Sequence, residues 1–229
     1  YYCSHRYIVG NYVDALRKSF NYSYGIYVYY SNYSTYAQNT TDTTYVLDND
    51  VRCIGQTGYA YPIYMYYGNQ QVLHNSVYVE CMYDYSYGIY VAETSPYHAD
   101  IKNNNVYMVN GKSAYPIYAG TMSYFTVDGN NIYHPMTTAG LTTAPYLAYY
   151  GAARTDLAGL KQYDTNATIL EPELIDIQRD GMVCANTGIT TKPVSNVYYN
   201  TYGYRDHTGA LRAAVPTRGA YEPVALINN

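Results

Sequence analysis

The chain has 229 residues, among them 37 tyrosines, 2 phenylalanines and no tryptophan, with 13 % charged residues and a formal net charge of −4. Leu, Ile, Val and Phe total only 43, a poverty that would mean disorder at high charge, so a highly charged disordered chain is excluded. The 13 Lys and Arg are scattered without runs, which removes a basic footprint for nucleic acid, and no apolar stretch is long enough for a transmembrane helix.

Tyrosine is concentrated early, with 28 in residues 1–135 and nine in residues 136–229. Tyr22-Ser-Tyr-Gly-Ile-Tyr-Val28 recurs as Tyr85-Ser-Tyr-Gly-Ile-Tyr-Val91, and Ala60-Tyr-Pro-Ile-Tyr64 recurs as Ala114-Tyr-Pro-Ile-Tyr118. Two matches in one order point to a duplicated unit over 1–68 and 69–122. The expected organisation is a Tyr-rich β domain over 1–135 and a smaller β-rich region over 136–229, joined near Pro135-Met-Thr-Thr-Ala-Gly140.

Local patterns are mostly β. Tyr22 to Tyr30 and Val77-Tyr-Val79 carry the β-branched and aromatic residues that strands favour. Hairpins are predicted around Asp48-Asn49-Asp50, Asn110-Gly111 and Asp128-Gly129-Asn130-Asn131, because these residues accept the positive φ of tight turns. Pro62 and Pro116 lie in strand-like runs and mark edges or breaks. Two further hairpins are read over Glu173–Val183, turning at Arg179-Asp-Gly181, and over Tyr199–Val215, turning at Arg205–Gly209. One short helix is expected near 144–162, with Thr143 as cap, Pro145 in the first turn, and Leu147, Tyr150, Leu157 and Leu160 near one face; Gly151 and Gly159 weaken it. The fold class is all-β, with antiparallel meanders and hairpins in two sandwich-like lobes.

Chemistry-bearing motifs are sparse. The five histidines are His5, His74, His98, His134 and His207, and none sits in a recognised nucleophile, phosphate or zinc motif. His98 and Asp100 would share a strand face as a base–carboxylate pair, but a loop after Pro96 is the favoured reading. Asp206-His207 belongs to a turn tip. Glu171 and Glu173 flank Pro172, where a glycosidase would want carboxylates from different elements. Asp48-Asn49-Asp50 has hard oxygens that suit calcium, but it lacks the glycine and glutamate of an EF-hand and reads as a polar turn. No catalytic, cofactor-binding or metal residue is assigned, and no cofactor is expected.

Cys3, Cys53, Cys81 and Cys184 form no CxxC; an even count permits two disulfides in three pairings. Sequons at Asn21, Asn32, Asn39 and Asn166 match chance frequency. A start at Tyr1 suggests a processed or incompletely recovered chain, so a missing signal peptide does not argue for the cytoplasm. Low charge, few lysines and abundant Asn, Thr, Tyr and Gly favour an extracellular or virion-surface setting.

Alternation such as Tyr22/Tyr24 and Tyr83/Tyr85/Tyr87 would place rings in rows on a sheet face. The function expected is a non-enzymatic structural subunit of a fibre, filament or shell. It would self-associate into a homo-oligomer through tyrosine-rich faces. A carbohydrate-binding or adhesin module is the alternative, with a glycan as partner, and a secreted glycan hydrolase is the third.

Overall fold

The computed structural model describes residues 7–17, 22–29, 42–55, 58–81, 85–93, 95–111, 114–135, 145–174 and 182–222. Its strands are β1 (Tyr7–Val9), β2 (Tyr12–Arg17), β3 (Ser23–Tyr29), β4 (Thr43–Leu47), β5 (Asp50–Gly55), β6 (Ala60–Tyr66), β7 (Asn69–Leu73) and β8 (Ser76–Cys81). They continue with β9 (Tyr87–Ala92), β10 (Ala99–Lys102), β11 (Asn105–Val109), β12 (Tyr115–Ala119), β13 (Phe125–Asp128), β14 (Asn131–Tyr133), β15 (Ala148–Tyr150) and β16 (Ala153–Arg154). Helices α1 (Leu157–Lys161) and α2 (Val197–Tyr202) follow.

Sheet A is five-stranded in the order β1-β4-β7-β10-β13, sheet B is five-stranded in the order β14-β11-β8-β5-β2, and sheet C is six-stranded in the order β16-β15-β12-β9-β6-β3. The chain therefore visits A, B and C in turn and returns to A one strand further along. Among the described residues, every pairing between these strands is parallel except β15 with β16. This is a β-solenoid, and it overturns the expected antiparallel meander and sandwich-like lobes.

The physical reason lies at the turns. Asp48 has φ 53, Gly129 has φ 71, and Asn110 and Gly111 have φ 65 and 87, as tight hairpin turns require. A solenoid corner makes the same local demand. At each of these positions the chain enters a new face instead of doubling back: β4 leads to β5, β13 to β14, and β11 to β12. Local turn chemistry does not say where the next strand will find its partner.

The core is a narrow interior filled by columns of aliphatic residues. Val46, Val72, Ile101 and Val127 stack from sheet A; Val51, Val77, Val106 and Ile132 from B; Ile26, Ile63, Ile89 and Ile117 from C. Each coil needs few aliphatic residues to close its interior, which reconciles an ordered core with the small aliphatic count.

The recurring motifs form β3 with β9 and β6 with β12, all within sheet C. Pro62 and Pro116 are not in edge strands; of the two expected alternatives, an edge or a break, the pairing is interrupted at each of them instead. Each lies opposite a glycine, and the paired register skips Gly25/Pro62 and Gly88/Pro116. A Cβ on Gly25 would lie 2.6 Å from the Pro62 carbonyl oxygen, and one on Gly88 would lie 2.5 Å from that of Pro116. Alternating glycine and proline thus lets a residue without an N–H sit inside the sheet.

The helix expected near 144–162 is replaced in its first half by β15 and β16, which turn at Gly151 with φ 65. Only Leu157–Lys161 is helical, capped by the Asp156 side chain, which accepts from Gly159 N. The predicted Tyr199 arm is helix α2, although Arg205 and Leu211 do bridge antiparallel across the next turn. Leu174 and Cys184 also bridge antiparallel; the turn predicted at 179–181 lies outside the described residues, as do Thr143 and the junction after Pro135. Cys53 and Cys184 are buried free thiols, and Cys3 lies outside the described residues.

Candidate interaction face

The outer face of sheet C is built of tyrosine. Each strand follows an out-in-in-out pattern, as in β9, where Tyr87 and Tyr90 face outward and Gly88 and Ile89 are buried. Parallel in-register pairing then brings like residues together. One row runs Tyr24, Tyr61, Tyr87, Tyr115, Tyr146, with ring centroids 5.2, 5.2, 6.0 and 4.8 Å apart. A second runs Tyr27, Tyr64, Tyr90, Tyr118, Tyr149, at 5.1, 4.8, 4.8 and 4.8 Å. Tyr29 and Tyr66 form a further stacked pair at 5.0 Å, which ends where Ala92 stands next in register. These separations follow the spacing of neighbouring strands.

Ring orientation decides what the face offers. Within the second row the interplanar angles are 13, 7, 12 and 16°, so the rings lie face to face. Between rows they meet edge-on, as Tyr61 does Tyr64 at 81°. Both π faces of an interior ring are therefore occupied, and solvent meets ring edges and phenol ends. Strands β3, β6, β9, β12 and β15 contain no charged residue. Burial, and then the neighbouring phenols Tyr118 and Tyr87, push Tyr90 up to about 12; Tyr61 and Tyr64 are raised for the same reasons. The face is neutral at physiological pH.

A second row of side chains occupies the corner between sheets A and B. Asn11, Asn49, Asn75, Asn104 and Asn130 each follow a residue at positive φ: Gly10, Asp48, His74, Asn103 and Gly129. Each buried amide oxygen accepts from the backbone N–H and the Nδ2 of the asparagine one coil earlier. Asn75 donates to Asn104 Oδ1 at 2.9 and 3.0 Å, and Asn104 donates to Asn130 Oδ1 at 3.0 and 3.0 Å. Each Nδ2 also reaches a carbonyl, Val72 O in the case of Asn104. The last oxygens belong to Asp164, which accepts from Gly129 N, Asn130 N and Asn130 Nδ2 at 2.6, 3.2 and 2.8 Å. A carboxylate only accepts, so it can end a row that passes donors in one direction. Burial pushes Asp164 up to about 6 against the pull of those donors.

Residues 182–222 cover the outside of this corner. Arg212 donates to Asp48 Oδ1 at 2.8 Å, Glu222 Oε1 at 2.9 Å, and the carbonyls of Gly219, Thr217 and Arg205. Tyr199 donates to Asp48 Oδ2 at 3.0 Å and Tyr221 to Asp50 Oδ2 at 2.7 Å. His74 is fully buried; its Nε2 lies 2.6 Å from Tyr204 Oη and 3.1 Å from Asn103 Nδ2, and burial lowers its basicity well below the usual range. This cluster uses the residue types of a catalytic site, but most of its polar atoms fasten one segment to another; Asp50 Oδ1 and His74 Nδ1 are buried without a hydrogen-bond partner.

The motifs weighed from sequence are not brought together. His98 is exposed, 3.8 Å from Asp100 Oδ1 and 2.9 Å from Thr126 Oγ1, and Lys102 pairs with Asp100 at 3.0 Å. Asp206 serves its turn, accepting from Thr208 N and Ala210 N. Glu171 and Glu173 are both exposed. Asp48 and Asp50 face the covering segment. Among the described residues, no group of three or more His, Cys, Asp or Glu could hold a metal ion, and no helix is long and apolar enough to cross a membrane. Sequence reasoning missed Asp164, Arg212 and the amide row; the signal for the row was the recurrence of asparagine after a residue that tolerates positive φ.

The architecture defines the class as a β-solenoid with surface tyrosine rows. The chain matches no protein-family model, and comparison with curated proteins and with solved structures finds no match either.

Proposed function

We propose that this chain is a non-enzymatic structural subunit that assembles with further copies of itself through the tyrosine face of sheet C. One observation carries the reading: rows of face-to-face tyrosines form an uncharged surface across β3, β6, β9, β12 and β15. Two such faces meet without charge repulsion. Tyrosine suits a contact of this kind because it offers apolar area and a hydroxyl at little conformational cost. Five strands at about 4.8 Å, of three to seven residues at about 3.3 Å each, give a face roughly 20 Å across the strands and about 10 to 23 Å along them. That is at the low end of specific interfaces, so each contact is weak alone and gains from repetition in a filament or shell. An extracellular or virion-surface setting fits the low charge and few lysines.

Sugar stacking on this face has less support, because it needs a free ring face. In both rows the interior rings have neighbours on each side, which confines stacking to the ends, such as Tyr24 and Tyr27.

Sedimentation velocity across a wide concentration range tests the assembly reading, comparing the natural chain with a Tyr64→Asp/Tyr90→Asp variant. Reversible association in the first and its loss in the second are expected. A clean monomer at every concentration, with no polymer by electron microscopy, would sink it.

A further inference from the structure

A surface cavity of about 360 Å³ lies where the segment after α1 meets the covering segment, lined among others by Lys161, Lys192, Arg218, Asn166, Thr168 and Thr191. Three cations converge there in a chain with only 13 Lys and Arg and a net charge of −4. No Asp or Glu is in the lining.

Arg218 is 4 % exposed. Its Nε donates to Gly129 O and its Nη2 to Asn166 O at 2.7 Å, while its buried Nη1 has no hydrogen-bond partner. A guanidinium group has five donors, and leaving the two of Nη1 unsatisfied in a buried setting is costly. The nearby carboxylates are engaged elsewhere: Asp164 by Gly129 and Asn130, and Asp128 by Asn166. Lys161 and Lys192 have no ion-pair partner among the described residues. The rest of the lining is rich in threonine hydroxyls.

We propose that this cavity binds an anionic sugar, held by its carboxylate, sulfate or phosphate group at Lys161, Lys192 and Arg218, with its hydroxyls on the exposed Thr165 and Thr190, since Thr168 and Thr191 donate to Asn131 and Asn103. Cations without acids select an oxyanion, and a lining with four threonines beside the small apolar Ala167 and Val215 suits a polyol. The volume is at the lower end of ligand pockets, which suits one sugar unit. This site is separate from the tyrosine face and does not depend on the assembly reading.

The test is calorimetric titration at low ionic strength with inorganic sulfate, glucuronate and glucose, on the natural chain and on Lys161→Gln/Lys192→Gln. Both lysines are exposed, so the double variant should fold, which an unchanged melting temperature without ligand checks. Saturable binding of sulfate, tighter binding of glucuronate, none of glucose, and about tenfold or greater weakening in the variant are expected. The proposal is overturned if neither anion binds saturably, if glucose binds as well as glucuronate, or if the folded variant binds unchanged. Binding of sulfate without glucuronate overturns the sugar assignment.

Discussion

The amide row at the A–B corner and the phenol rows on sheet C repeat with the same coils, yet they are opposite in character. Every amide from Asn49 to Asn130 is buried and donates both to a carbonyl of the coil before and to the next oxygen in the row, an asparagine of the following coil or, for Asn130, Asp164. The phenols stack on one another and leave their edges outward, with Tyr24 and Tyr27 37 and 43 % exposed at the row ends. Periodicity is therefore not itself a functional signal. A repeated residue that satisfies itself inside the protein holds the fold, and one that stacks and still faces solvent makes a surface.

The largest way to break this comparison is to interrupt the amide row. Asn104→Ala removes two bonds accepted from Asn75 and two donated to Asn130 Oδ1 and Val72 O, all in a buried corner. A loss of about 5 kcal/mol is expected by urea denaturation, against about 1 kcal/mol for Asn11→Ala at the exposed end of the row. Equal losses at both positions would mean that the row acts locally and not through burial.

Arg212 fastens the covering segment to the corner. Arg212→Met leaves Asp48 and Glu222 without their shared partner, and a buried carboxylate that loses its cation costs about 4 kcal/mol. Limited proteolysis should then cut within 182–222 first, while the solenoid coils stay protected. Cleavage spread evenly over the chain would show that segment and solenoid unfold as one unit.

How much of this was legible varied with the range of the interaction. Strand content, the positive-φ turns at Asp48, Asn110 and Gly129, and the outward tyrosines Tyr22 and Tyr24 were readable because each is set within a few residues. The parallel path was not, since Asn-Gly and Asp-Asn-Asp read alike in a hairpin and at a corner. The offsets of the recurring motifs held the missing information. Tyr22–Val28 and Tyr85–Val91 lie two strands apart in sheet C, so the visible repeat spans two coils, and the intermediate coil differs by Pro62 where its neighbours have Gly25 and Gly88. The cluster around Asp48 and Arg212 was invisible because its members are 164 residues apart.

Glu93 sharpens the comparison through pH. It follows Ala92 at the end of a sheet C strand and accepts from Gly68 N at 3.0 Å, and burial pushes its carboxyl up to about 9. The folded protein then keeps a proton that the unfolded chain has released, so the stability from this group is complete below about pH 4.5 and is lost as pH rises towards 9. Between pH 5 and 7.5 the decline is roughly 3 kcal/mol at most. Glu93→Gln should flatten that slope and melt higher than the natural chain at pH 8, with little difference at pH 4.5. Parallel slopes in the two proteins would remove Glu93 as the cause.

The smallest effect separates ring from hydroxyl within the phenol rows. Tyr90 stacks on Tyr64 and Tyr118 at 4.8 Å each. Tyr90→Ser loses both stacks, about 2 kcal/mol in total, whereas Tyr90→Phe keeps both and should cost less than about 0.5 kcal/mol. If chemical denaturation finds the phenylalanine variant as weak as the serine variant, hydroxyl bonding and not ring stacking holds the face together. If Tyr90→Phe keeps its stability but associates less, the hydroxyl is needed at the contact between copies. That outcome would explain why nearly every aromatic residue in this chain is tyrosine and almost none is phenylalanine.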